Sequence, residues 1–258
     1  MTELLTISDI GRGETRMAVG VMRPAEPRIR GLALALHGRN GAPEAPHMLA
    51  ISRALIAHGY AVIVPALRNS APNSEAGTAG GHPSRFTMTA QVEDAGRVVD
   101  WVLKGGAGGA GVPAGPMLIA GHSMGAYAAL RLAGERGPKA VTHVLGVAAV
   151  VSGRAILEAR AAMGQPALDA LEAEVPGAAF EYATHDLAHL APNLDLPIAF
   201  VSGERDGLAL PSDVSAFAAT LPTPPHHEIV AGADHCPTGP LVDAALDRAV
   251  AALVAARV

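Results

Sequence analysis

Cysteine is nearly absent: Cys236 stands alone among 258 residues, so no disulfide can form within the chain and a thiolate metal cluster is excluded. Aromatic residues are scarce as well. Four Phe, three Tyr and one Trp are too few for a platform that stacks sugars or bases. Positive charge is in deficit, and the formal net charge of −5 argues against a nucleic-acid binder that works by neutralising phosphates. Long hydrophobic runs are missing too: Val144 to Val151 falls far short of the roughly 18–20 residues that span a bilayer. The amino end places Glu3 and Asp9 around a short apolar stretch and lacks the basic start and long apolar segment of a signal peptide. Together these absences predict a cytoplasmic protein with no nucleic-acid partner and no membrane partner.

What is present is core-forming material. Half of the residues are hydrophobic and only 17% are charged, a composition that supports a large buried core and excludes a disordered chain. The length suits a single α/β domain over residues 1–258. Apolar runs bounded by Gly or Pro alternate with amphipathic stretches of helical length, which predicts an α/β fold with a mostly parallel central sheet and helices on both faces. The expected strands are Gly31 to Leu36, Ala61 to Leu67, Met117 to Gly121, His143 to Val151, Ile198 to Ser202 and His227 to Val230. Leu4 to Ile7 and Arg16 to Met22 read as an antiparallel lead-in pair. The expected helices are Met48 to His58, Thr87 to Lys104, Met124 to Glu135, Pro211 to Leu221 and Leu241 to Ala256.

Two stretches interrupt the alternation. Arg68 to Arg85 is a long polar loop rich in Gly, Ser and Pro, of the kind that carries function. Residues 153–196 contain two short helix-like segments, AILEARAAM and ALDALEAEV, and read as a small helical cap inserted between two strands. Gly105 to Gly111 reads as a flexible connector. It lacks the Lys-Ser or Lys-Thr pair of a phosphate loop and follows a helix, so it is not the G-x-G-x-x-G of a dinucleotide fold; no metal-ligand spacing occurs either, and neither a cofactor nor a metal is implied.

The chemistry is concentrated in Gly121-His122-Ser123-Met124-Gly125, which follows an apolar strand and opens a helix. A serine in a tight strand-to-helix turn projects its hydroxyl, and glycines on both sides relieve the crowding there. A hydroxyl needs a base to become a nucleophile, so the motif predicts a histidine and an acid downstream. Asp206 follows one late strand, and His235 lies in the loop after the next. Glu204 and Asp234 are alternative acids. The other histidines fit less well: His122 points away from the hydroxyl, His143, His226 and His227 belong to strands, and His185 and His189 read as surface residues of the cap. Cys236 reads as a small buried residue.

With Ser123, Asp206 and His235 in this order, nearly the whole chain resembles the α/β-hydrolase fold superfamily. The resemblance implies that Ser123 is the nucleophile, His235 the general base and then acid, and Asp206 the group that orients the imidazole. Leu36-His37-Gly38-Arg39-Asn40-Gly41 resembles the family's His-Gly loop, which implies oxyanion donors at the backbone N–H groups of Arg39 and Met124. The longer His-Gly-Gly-Gly form is absent, and His37 has a structural role in this reading.

The implied reaction is hydrolysis of a carboxylic ester, thioester or lactone of small or medium size, through an acyl-enzyme. Arg39, Arg68, Arg85, Arg154 and Arg205 lie on loops expected to rim the site, where they are either solvated or tied to nearby carboxylates, or one or two of them hold a substrate carboxylate, as in hydrolases similar to dienelactone hydrolase. Phe86 is placed either to line an acyl pocket or to pack in the core, and Trp101 reads as core. Other readings stay open: a peptidase or amidase, for which Glu158, Glu172 or Glu174 would receive a free amino terminus; an acyltransferase or lyase; and a ligand-binding protein without catalysis.

Overall fold

In a computed structural model the described residues are 4–12, 16–25, 29–70, 86–112 and 114–256. They form one eight-stranded sheet from β1 (Leu4–Ile10), β2 (Met17–Met22), β3 (Gly31–Leu36), β4 (Tyr60–Pro65), β5 (Met117–His122), β6 (Val141–Val147), β7 (Ile198–Gly203) and β8 (His226–Val230). The strand order is β1-β2-β4-β3-β5-β6-β7-β8. β2 runs antiparallel to both β1 and β4, and every pairing from β4 through β8 is parallel.

The parallel strands are apolar on both faces because helices cover both. Leu34, Leu36, Ile63, Ile119, Val144 and Phe200 lie in one core layer, covered by α2 (Met88–Leu103), by α3 (Met124–Arg136) and, at Phe200, by Phe217. Their neighbours in sequence, among them Ala33, Ala35, Val62, Leu118, Leu145 and Val201, meet α1 (Pro46–Ala57) and α8 (Pro240–Ala255) on the other. Each fully buried Leu or Ile in these layers contributes roughly 1.5–3 kcal/mol. Helix starts follow local chemistry. Thr87 caps α2, its hydroxyl accepting from Ala90 N–H at 3.0 Å, while Pro46 and Pro240 occupy first-turn positions of α1 and α8, where a missing N–H costs nothing.

Some expectations need correction. The β6 run stops at Val147 instead of continuing to Val151, because Ala148 takes φ +45° and turns the chain out of the sheet. Gly106–Ala110 forms a 3-10 turn at the end of α2, against Trp101, instead of a free connector; a Cβ on Gly106 would lie 2.1 Å from the indole. Trp101 itself is partly buried against the core. Between β6 and β7 the two expected short helices occur as α4 (Gly153–Ala162) and α5 (Gln165–Glu174). A third, α6 (Ala178–Ala183), and a 3-10 turn at Ala188–Asn193 follow, and α7 (Pro211–Ala218) lies after β7. Of the polar loop, residues 71–85 lie outside the described residues, and Arg85 with them.

His185 is not a surface residue. It is buried, with Thr89 Oγ and Tyr127 Oη each 3.0 Å from its ring nitrogens and Glu181 at 3.1 Å, so it ties α6 to α2 and α3. No helix among the described residues is long and apolar enough to cross a membrane.

Candidate active site

Ser123 joins β5 to α3 with φ +56° and ψ −121°, a conformation that costs a residue with a side chain about 1–3 kcal/mol. The surroundings hold it there. Ser123 N–H donates to Val147 carbonyl at 3.0 Å, and Ser123 carbonyl accepts from Ala126 N–H at 3.0 Å. The two motif glycines are required by close approach: a Cβ on Gly125 would sit 2.2 Å from Leu36 carbonyl oxygen, and one on Gly121 the same distance from Gly125 carbonyl carbon. The strained turn lifts the hydroxyl to the carboxyl edge of the sheet, where the loops after β7 and β8 also arrive.

Those loops bring Asp206 and His235 to it. Ser123 Oγ lies 3.0 Å from His235 Nε2, and His235 Nδ1 lies 2.9 Å and 3.0 Å from the two carboxylate oxygens of Asp206. Ionised Asp206 offers only acceptors, so Nδ1 carries the proton and Nε2 presents its lone pair to the serine. Asp206 is buried, and its Oδ1 also accepts from Leu208 and Ala209 N–H, each at 2.9 Å. The alternative acids are engaged elsewhere: Glu204 accepts from Gly232 N–H at 2.8 Å and Asp234 from Cys236 N–H at 3.0 Å.

His122 points away from the hydroxyl and has a task the sequence did not disclose. Its Nε2–H donates to the carbonyl of His235 at 2.6 Å, fixing the backbone that carries the base. Burial, reinforced by His47 and His235, holds its pKa well below the usual histidine value, so it stays neutral. Cys236 is exposed, contrary to expectation, and partial desolvation with Asp234 and Asp206 nearby raises its thiol pKa, which keeps it protonated and a poor nucleophile. Among the described residues one trio, His47, His122 and Cys236, has ligand atoms within 4.8 Å of one another, although His122 Nε2 is already committed to His235.

The loop after β3 faces the serine from the other side. His37 is fully buried; its Nδ1–H donates to Gly38 carbonyl at 2.8 Å, while Nε2 accepts from Leu67 N–H and Ser70 Oγ at 3.1 Å. Desolvation lowers its pKa to about 4, so the ring serves as a neutral brace. Gln91 Nε2 adds a second brace by donating to His37 carbonyl at 2.6 Å. A Cβ on Gly38 would lie 2.9 Å from Ser123 Cβ, which shows how closely the loop approaches. Met124 opens α3, so its N–H has no acceptor within the helix. Among the described residues Arg39 N–H likewise finds no backbone acceptor.

A cavity of about 240 Å³ opens over Ser123 and His235. Arg39, Asn40 and Met124 line it from the sheet side, and Ile156 and Arg160 of α4 with Tyr182 of α6 line it from the insert. Glu174 of α5 binds both halves together: Arg39 pairs with it at 2.8 Å, and Asn40 Nδ2 donates to it. Tyr182 is buried, its hydroxyl 3.7 Å from Met124 Sδ, and burial pushes its pKa up to about 12, so it remains a phenol.

Two expected substrate contacts lie elsewhere. Arg68 does not line the cavity; its Nε donates to Asp94 at 2.6 Å and a terminal nitrogen to Glu93 at 3.2 Å, so its charge is neutralised on α2. Phe86 packs against the core. Arg154 and Arg205 are exposed, and neither lines the cavity. Arg160, which does, was not singled out in the sequence, although its position one turn after Ile156 on a short amphipathic helix is a signal: it sets an arginine on the apolar stripe.

The sequence matches no protein-family profile and no curated protein. Solved structures are similar in shape. Est1E from Butyrivibrio proteoclasticus superposes with a TM-score of 0.71 at 15% identity, over 97% of this chain and 100% of that one. The esterase domain of a Rhodothermus marinus protein gives 0.66 at 20% identity, over 99% and 98%. Dienelactone hydrolase from Anabaena variabilis gives 0.63 at 16% identity, over 97% and 95%. With its strand order, its strained serine turn and these likenesses, the chain has the α/β-hydrolase fold.

Proposed function

We propose that the protein is a serine hydrolase that cleaves a small carboxylic ester, thioester or lactone through an acyl-enzyme on Ser123. The observation that carries this reading is the continuous relay from Asp206 through His235 to Ser123 Oγ, each link at 2.9–3.0 Å. His235 removes the hydroxyl proton as Ser123 attacks the carbonyl, and Asp206 stabilises the imidazolium that forms. The N–H groups of Met124 and Arg39 receive the oxyanion. His235 then returns the proton to the leaving group and activates the water that releases the acid. The reading needs no metal and no cofactor, and it places the protein in the cytoplasm acting on a small molecule. The lone Cys236 suits that reducing compartment.

Size selects the substrate. A cavity of about 240 Å³ is below the usual ligand-pocket range of roughly 300–1,000 Å³. A series of 4-nitrophenyl esters from acetate to decanoate is therefore expected to show highest kcat/KM at two to four acyl carbons and a fall of at least about tenfold by eight, since each misfitted methylene costs roughly 1–3 kcal/mol. No turnover of any member by folded protein would contradict the reading. A peptidase acting at a free amino terminus is less well served, because Glu174 is taken by Arg39 and Asn40, Glu172 accepts from Gly177 and Ala178 N–H at 2.6 and 3.0 Å, and Glu158 is exposed.

A further inference from the structure

Two arginines line the cavity over Ser123, and they differ in whether a carboxylate lies within ion-pair distance. Arg39 has the Glu174 carboxylate 2.8 Å from its Nη1 as a counter-charge, although that buried nitrogen makes no hydrogen bond. Arg160 has no carboxylate within ion-pair distance among the described residues, and its Nε is buried without a hydrogen-bond partner. A desolvated cationic donor left unmatched is costly, and the cost is recovered when an anion with a planar pair of acceptors binds it. Tyr182, which lines the same cavity from α6, is a neutral phenol at physiological pH and supplies no counter-charge.

From this mismatch we infer that Arg160 is a carboxylate-binding residue and that the substrate is a small ester bearing a free carboxylate a few bonds from the scissile carbonyl. The inference rests on the serine-hydrolase reading and names the substrate class for that site. Ile156, one turn before Arg160 on α4, and Leu208, two residues after Asp206, add apolar lining to the same cavity, which suits a short methylene spacer. Helix α4 carries both the apolar contact and the charge on one face, so the insert selects the anion while the sheet edge performs the chemistry.

The carboxylate has two possible places in an ester, and matched pairs distinguish them. Monoethyl succinate against ethyl 4-methylpentanoate tests the acyl side; 3-acetoxypropanoate against isopentyl acetate tests the alcohol side. In each pair a carboxylate is replaced by an isopropyl group of the same shape. Acid release followed at constant pH is expected to favour the anionic member of one pair by about 10–100-fold in kcat/KM, the range of a charge-assisted hydrogen bond. In Arg160→Met and Arg160→Gln that ratio is expected to fall to near one, and Arg160→Lys, which keeps the charge but not the fork, to lie between. No preference in either pair, a preference that survives Arg160→Met, or a loss that strikes both members equally would overturn the inference.

A binding measurement separates this inference from the hydrolase reading. Calorimetry with the anionic esters on Ser123→Ala needs no turnover, and binding weakened at least tenfold in Ser123→Ala combined with Arg160→Met supports the subsite even if the wild type hydrolyses nothing. Equal binding by the two variants, or none by either, overturns it.

Discussion

Ser123→Ala is expected to lower turnover of a short-chain ester by about 10⁶-fold, and His235→Ala by a comparable factor, with the fold retained in both. The 3.0 Å contact between Oγ and Nε2 makes nucleophile and base one unit: without the base the hydroxyl is not activated, and without the hydroxyl the base has nothing to activate. The double variant should accordingly be little worse than either single one. A residual rate of roughly 10³–10⁴ over water should remain, from substrate positioning and the oxyanion donors at Met124 and Arg39. Alanine preserves the crowded turn because it adds no atoms where Gly121 and Gly125 admit none, so circular dichroism and thermal midpoint should match the wild type closely. Losses that multiply in the double variant would mean that the two residues act in separate steps.

Asp206→Asn is expected to cost about 10⁴-fold in kcat with little change in KM. The reason lies in the second set of bonds that the carboxylate makes. Oδ1 accepts from Leu208 and Ala209 N–H at 2.9 Å each, so an asparagine must keep its oxygen on that side. Its amide nitrogen then takes the place of Oδ2, 2.9 Å from His235 Nδ1, and presents a donor there, which leaves Nδ1–H only the 3.0 Å contact to an Oδ1 already shared with two backbone N–H groups. The imidazole answers by moving its proton to Nε2, where it faces Ser123 and blocks deprotonation. Single-turnover kinetics would check this. A change confined to KM would mean that Asp206 shapes the pocket and does not govern the tautomer.

How far the sequence discloses this protein depends on whether the constraint is local. The parallel strands are legible because Gly31–Leu36, Met117–His122 and Ile198–Gly203 are buried on both faces and read as short apolar runs. The serine turn is legible because backbone packs so closely around it that Gly121 and Gly125, two residues before and after Ser123, have no room for a Cβ. Asp206 and His235 are legible as polar residues just past the ends of β7 and β8, but Glu204 and Asp234 meet the same criterion, and only the folded contacts separate them. By contrast, the end of β6 is hidden inside the unbroken apolar run from Val144 to Val151; what ends it is the backbone of Ala148, and nothing in its side chain announces that.

Residues whose role depends on distant partners are the ones misread. Arg68 looks available in a polar loop until α2 folds Glu93 and Asp94 against it, 25 and 26 residues away in sequence. His185 looks solvated until α6 packs it onto Thr89 and Tyr127. Arg160 goes unnoticed for the opposite reason. Only the folded cavity shows that its Nε is buried there without a hydrogen-bond partner.

The central claim is that the fold activates one serine. The direct test is the intact mass of the purified protein after treatment with a small fluorophosphonate, with Ser123→Ala and His235→Ala treated in parallel. The account predicts a single adduct on the wild type, mapped to Ser123, and none on either variant. An unmodified wild type of native thermal stability, or an adduct that persists in Ser123→Ala, would contradict it.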